Sequence, residues 1–308
     1  LTYVSDSAGS MDLAVVPIDG GNPARLTYEP DGEFDPALSP DGSRLAFVSN
    51  NAGPTQLYVM PAAGAARAGW QLASPTRRAL RSPVGRVRGR IVDADGRVTP
   101  ARLLASASDG RSYTEAQGFH RMVPATRTHY QHVDGVFEIE VPAGPLTVEA
   151  MRGFEFLPAS VEVVIERGET TEVELQLNRL DDPRARGWYV GDMHVHDQHE
   201  GRFGITHETF VEQLTADDVG YANALIHMDG TKLMGRWDDL SGEPHPLSNE
   251  SVTLQYAQEY RGAFGHLGLI GLSEFIMPMI GGAATTPFAP DDLGIGHIDQ
   301  VHAQGGIA

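Results

Sequence analysis

Short runs in which apolar and polar residues alternate dominate the first 180 positions, and a period of two predicts half-buried strands rather than helices. Leu1-Thr2-Tyr3-Val4-Ser5 is the first such run, and it returns as Leu45-Ala46-Phe47-Val48-Ser49. Ala8-Gly9 returns as Ala52-Gly53, and Leu13-Ala14-Val15-Val16-Pro17 as Leu57-Tyr58-Val59-Met60-Pro61, always at an offset of 44 residues. A repeat of about 40 to 45 residues made of short strands predicts β-propeller blades. Fewer than two blades fit within residues 1–72, whereas closure needs about four or more. Residues 73–83 are rich in Ser, Pro and Arg and predict a linker. Alternation resumes at Gly85-Arg86-Val87-Arg88-Gly89-Arg90-Ile91-Val92 and recurs at residues 135–142, 146–150 and 171–177, which predicts an antiparallel sandwich over residues 84–180.

Two of these regions resemble known families. The turn Ser39-Pro40-Asp41-Gly42-Ser43, continuing into Arg44-Leu45-Ala46-Phe47, resembles the blade signature of TolB-like propellers. The sandwich pattern resembles the transthyretin-type, carboxypeptidase-regulatory-like fold. Nothing in the sandwich has a catalytic pattern, and His120, His129 and His132 are assigned to surface or packing roles.

Composition narrows the chemistry. The 308 residues carry 23 basic and 41 acidic side chains, a formal net charge of -18, which disfavours a nucleic-acid or anionic-membrane partner. No apolar run reaches the roughly 20 residues of a membrane span. Without cysteine there is neither a disulfide framework nor a thiolate metal site, so any metal must be held by His, Asp and Glu. Leu1 already reads as the interior of a strand, and an upstream segment is expected.

Nine of the twelve histidines fall between His194 and His302. In Asp192-Met193-His194-Val195-His196, strict alternation places Asp192, His194 and His196 on one strand face and Met193 and Val195 on the other. Two imidazoles so placed can converge on one divalent ion, with Asp192 orienting a ring. Thr206 caps a predicted helix over 206–216, which leads to a strand over 221–226 ending in His227-Met228-Asp229.

The Asp-x-His-x-His segment resembles the opening motif of the polymerase-and-histidinol-phosphatase (PHP) superfamily. The sandwich-then-hydrolase order, Gln258-Glu259-Tyr260-Arg261 and Phe264-Gly265-His266 make it similar, more narrowly, to the CehA/McbA (carbaryl hydrolase-like) branch. The resemblance implies a (β/α) barrel, incomplete within residues 187–308, holding two or three divalent ions (Zn, Mn or Fe) at the C-terminal strand ends. It implies His194, His196, Glu259 and His266 as ligands, and metal-assisted hydrolysis of phosphoesters or of carbamate and carboxylic esters. His227 and Asp229 stand where the superfamily has Thr-Asp-His, as candidate ligands or as turn residues. His199 is a candidate ligand or proton carrier, and Arg261 a candidate anion holder or ion-pair partner. His207, His245, His297 and His302 have no assigned role. The 121 residues from Trp188 onward fall short of the roughly 250 of a complete barrel, so further ligands are expected outside this chain. The fold class expected is therefore multidomain, β plus α/β: partial propeller, antiparallel sandwich and incomplete PHP-type barrel. Two rivals remain open: an amidohydrolase, whose bridging lysine would be Lys232, and a non-catalytic surface-binding module with a degenerate metal domain. The TolB-like and sandwich resemblances imply a periplasmic or secreted protein.

Overall fold

The computed structural model describes residues 1–5, 11–29, 32–49, 56–73, 82–116, 118–123, 126, 128–197, 205–229, 232–262, 265–280 and 295–308. The repeat predicted at the N-terminus forms two antiparallel sheets. Strands β1 (Thr2–Ser5), β2 (Asp12–Val15) and β3 (Ala24–Arg25) make a three-stranded one. Strands β4 (Glu33–Leu38), β5 (Arg44–Ser49), β6 (Gln56–Pro61) and β7 (Gln71–Leu72) make a four-stranded meander. Alternation in β5 buries Leu45 and Phe47, which pack with Leu13, Met60 and Trp70 in one core. At the turn before β5 the Asp41 carboxylate accepts from Ser39 and Ser43, contacts that hold its pKa at about 2.

The second unit contains β8 (Val84–Val92), β9 (Ala101–Ala107), β10 (Arg121–Val123), β11 (Thr128–Val133), β12 (Val136–Pro142), β13 (Gly144–Met151), β14 (Phe156–Leu157), β15 (Ala159–Ile165), β16 (Thr170–Gln176) and β17 (Asn178–Arg179). A five-stranded sheet of order β10-β11-β9-β13-β15 faces a three-stranded sheet of order β12-β8-β16 across a shared core of Val87, Ile91, Leu103, Phe137, Ile139 and Leu146. The small sheet corrects one expectation. β16 runs parallel to β8, so the sandwich is not wholly antiparallel. On its outer face Arg88 meets Glu138 at 2.7 Å and Glu172 at 3.2 Å. Such exposed pairs contribute at most about 1 kcal/mol each.

The third unit comprises β18 (Gly191–Val195), α1 (His207–Ala216), β19 (Tyr221–Asp229), β20 (Lys232–Met234), β21 (Thr253–Gly262), β22 (Gly265–Leu269) and α2 (Ile295–Ala303). Thr206 caps α1 by accepting from the Thr209 amide at 3.2 Å, and the helix buries Phe210, Val211 and Leu214 against Ala222, Ala224, Ile226 and Tyr256. β18, β19 and β21 are mutually parallel, β20 closes a hairpin on β19, and β22 runs antiparallel to β21. Among the described residues only α1 is a helical crossover between parallel strands, and a hairpin with a 3-10 turn at Trp237–Asp239 joins β19 to β21. No helix among the described residues is long and apolar enough to cross a membrane.

Charged groups fasten the sandwich to the C-terminal end of α1. Arg102 forms a two-pronged pair with Asp217, both contacts at 2.5 Å, and His132 reaches the same carboxylate at 3.1 Å. Arg152 donates to the Thr215 carbonyl at 2.8 Å and to Asp218 at 2.7 Å, placing a cation where the helix exposes its last carbonyls. Gly153, at φ +48°, lies so close that a Cβ there would stand 2.8 Å from the Asp217 carbonyl. Burial alone would raise the Asp217 carboxyl, yet His132 and Arg102 hold it below its ordinary value. A carboxyl depressed in the folded state contributes stability above its ordinary value of 3.8, and that contribution is lost as pH falls through the lower folded value. Asp217→Asn is therefore expected to cost about 1–2 kcal/mol at neutral pH and to flatten the acid limb of the stability curve below pH 3.8. Urea unfolding of both proteins between pH 2 and 7 measures this.

Candidate metal centre

β21 is buried along most of its length, as expected of a strand covered on both faces, and Glu259 lies within it at 0% exposure. Glu259 therefore stands in a covered strand and not at a solvated helix end. A buried carboxylate needs compensating partners, and the neighbouring strands bring them. His194 Nε2 stands 3.4 Å from Glu259 Oε1, His196 Nε2 3.2 Å from Oε2, His227 Nδ1 3.8 Å from Oε2, and His266 Nδ1 2.5 Å from Oε1. The Arg261 Nε lies 3.4 Å from Oε1. Four imidazoles and a guanidinium thus surround one carboxylate. Burial would raise the Glu259 carboxyl, but the His196 hydrogen bond and the Arg261 charge bring it down to about 2.

The sheet order explains the convergence. β19 lies beside β21 on one side and contributes His227; β22 lies on the other and contributes His266, paired across from Arg261. β18, one strand further, contributes His194 and its successor His196. Strict alternation does not hold there. Asp192 pairs with Ala222 and Val195 with Ala224, so one extra residue bulges out of β18. Met193 accordingly turns toward Asn223, whose Nδ2 meets its sulfur at 3.5 Å, while both histidines still face Glu259. The same bulge corrects the expectation for Asp192. Its Oδ1 accepts from the backbone N–H of His194 at 3.1 Å, fixing the strand end rather than orienting a ring.

His196 shows how a ligand nitrogen is aimed. Its Nδ1–H donates to the Leu225 carbonyl at 2.9 Å, which turns Nε2 toward Glu259. Burial would lower this imidazole, but Glu259 and the Leu225 carbonyl hold its pKa above the ordinary value. His194 and His266 are about half exposed, so the cluster opens to solvent on one side. His227 lies inside β19, 5% exposed, with its ring 4.4 Å from that of His196, which sets aside a simple turn role. His199 lies outside the described residues, as do the side chains of Asp229 and Lys232.

The donor set fits a divalent cation. The ligand atoms of His194, His196 and Glu259 all lie within 4.8 Å of one another, and both Glu259 oxygens are buried. Imidazole nitrogens and a carboxylate gathered in this way are donor types that divalent cations of the zinc class take.

Residues that the sequence reading passed over support this end of the sheet. Asp197, 3% exposed and next to His196, accepts from Arg236 Nε at 2.6 Å and from Tyr256 Oη at 2.8 Å. Arg236 also donates to the Ile205 carbonyl. Of the histidines without an assigned role, His297 is buried, bonded to the Pro278 carbonyl at 2.7 Å and packed on Tyr260. His120 and His129 contact each other at 2.8 Å, in keeping with a packing role.

No family model matches the chain. A stretch of 60 residues is 37% identical to a TolB homolog of Chlorobium luteolum, covering 20% of this chain and 14% of that protein. The chain therefore spans a small part of that relative's length. Among solved structures, TolB from Acinetobacter baumannii is similar at 16% identity, over 59% of this chain and 41% of that one, with a TM-score of 0.21. The minor pilin of Streptococcus agalactiae is similar at 14% identity, over 53% of this chain and 69% of that one, with a TM-score of 0.26. Scores this low carry no argument about fold. The chain is a β-rich multidomain molecule with a TolB-like component.

Proposed function

We propose that the third unit is the metal-holding part of a hydrolase that cleaves phosphoester, carbamate or carboxylic ester bonds of small molecules with an activated water. The observation that carries this reading is the fully buried Glu259 carboxylate faced by His194, His196, His227 and His266. The similarity of Asp192-x-His194-x-His196 to the PHP opening motif, and of the wider pattern to the CehA/McbA branch, supports it. His194, His196, Glu259 and His266 would hold the cation, with His227 completing the set; zinc, manganese and iron all suit imidazole and carboxylate donors. A cation so held supplies Lewis acidity and makes water a nucleophile near neutral pH.

The chain's own residues set the conditions for that chemistry. Leu225 fixes the tautomer of His196 through its carbonyl. Arg261 keeps Glu259 ionised, and its partly exposed side chain lies beside the cluster, where an anionic substrate group can be received. The half-exposed His194 and His266 lie on the open side, where a substrate reaches the cluster. Glu259, a carboxylate faced by four imidazoles, can serve as the bridging anion that the amidohydrolase reading asks of a modified Lys232, which supports the present reading. A periplasmic or secreted location is proposed with it, in line with the TolB-like component.

The test is hydrolysis of p-nitrophenyl phosphate, acetate and N-methylcarbamate by purified protein before and after chelation. Expected is activity on at least one ester that chelator abolishes and zinc or manganese restores. Activity indifferent to chelation would contradict the reading.

A further inference from the structure

A second group of metal-type donors lies away from Glu259. On β21, Tyr256 and Glu259 are an odd number of residues apart and point to opposite faces. Tyr256 faces the core under α1, and against its ring stand His207 and His245, with centroids at 6.0 and 5.9 Å. His207 is the first residue of α1, Asp239 the last of the 3-10 turn, and His245 is held by its N–H to the Leu254 carbonyl at 2.7 Å. One ligand atom from each of the three lies within 4.8 Å of the others, against about 3.3 Å between ligands around a tetrahedral zinc.

We infer that His207, Asp239 and His245 form a second site, separate from the Glu259 cluster, for a divalent cation of the zinc class, leaving one position for water. Three segments from different parts of the chain meet there, and a buried anchor holds them. Arg236, which begins the loop carrying Asp239, is tied to Asp197 and to the carbonyl of Ile205, two residues before His207. That engagement also keeps the nearest cation occupied. The contact of His207 Nε2 with Asp239 Oδ2 at 2.6 Å is by itself a satisfied pair. What the pair does not require is His245, whose ring lies parallel to that of His207 at 4.5 Å and 13°. Stacking against His207 brings a ring nitrogen of His245 within 4.8 Å of the ligand atoms of the pair. All three side chains are partly exposed, which admits an ion and its water. Coordination through His245 Nε2 moves the ring proton to Nδ1 and displaces the Leu247 amide contact, which at 3.3 Å is already long.

The experiment is a zinc chloride titration, followed calorimetrically, of the full chain carrying His194→Asn and Glu259→Gln, so that failure of the hydrolase reading leaves this one testable. One bound equivalent is expected, and adding His207→Asn with His245→Asn is expected to remove it. His245→Asn alone, which spares the His207–Asp239 pair and the start of α1, is expected to weaken binding at least ~10-fold. No zinc bound by the folded parent, or an affinity unchanged by His245→Asn, overturns the site.

Discussion

Glu259→Gln is expected to strip the protein of tightly bound divalent metal at the Glu259 cluster and to lower metal-dependent hydrolysis by at least about 10²-fold. Groups that only support a metal ligand are worth roughly 10–100-fold in affinity or activity, and Glu259 is the one anion that His194, His196, His227 and His266 share. Glutamine keeps the volume and removes the charge, so the four rings and Arg261 would face a neutral amide at 0% exposure. His196 loses the partner that raises its pKa and is expected to become harder to protonate; its NMR titration measures that shift independently of activity. A Glu259→Gln protein that kept its metal content and turnover would remove this carboxylate from the chemistry.

Asp197→Ala is expected to be the most destabilising single change in the third unit, at about 3–5 kcal/mol, because it leaves the largely buried Arg236 without its counter-ion. The same change frees Tyr256 Oη in the core and loosens the strand end that carries His196. Tyr256→Phe, which removes one hydrogen bond and keeps the ring, is expected to cost about 1 kcal/mol. Urea unfolding measures the pair of variants. An Asp197→Ala cost no larger than that of Tyr256→Phe would mean that Arg236 finds water instead.

Much of the β architecture was legible in the residues. The 44-residue repeat announced paired sheets because propeller strands alternate cleanly, and Leu45 and Phe47 turn inward where the pattern put them. The helix capped by Thr206 and the convergence of His194 and His196 were also readable. Other features lie beyond local pattern. Bulging at β18 reverses the faces expected of Asp192 and Met193, and no period-two count detects one extra residue. The antiparallel course of β22 and the parallel pairing of β16 with β8 are set by tertiary packing, which alternation within one strand does not encode. Asp239 stands 32 residues from His207 and comes from a turn, so the second donor group has no spacing that marks it. Glu259 illustrates the converse case: its place in the sequence made it a candidate, but only the sheet order makes it the centre of four rings.

Those rings and the Glu259 carboxylate are proposed to share a cation. Anomalous diffraction at the zinc and manganese edges, from crystals grown with either ion, tests it most directly. A shared cation gives a peak bounded by the side-chain nitrogens of His194 and His196 and the carboxylate of Glu259, at about 2.0–2.3 Å from each. A crystal that binds the ion elsewhere and leaves this cluster without a peak, its imidazoles simply hydrogen-bonded to Glu259, would contradict it.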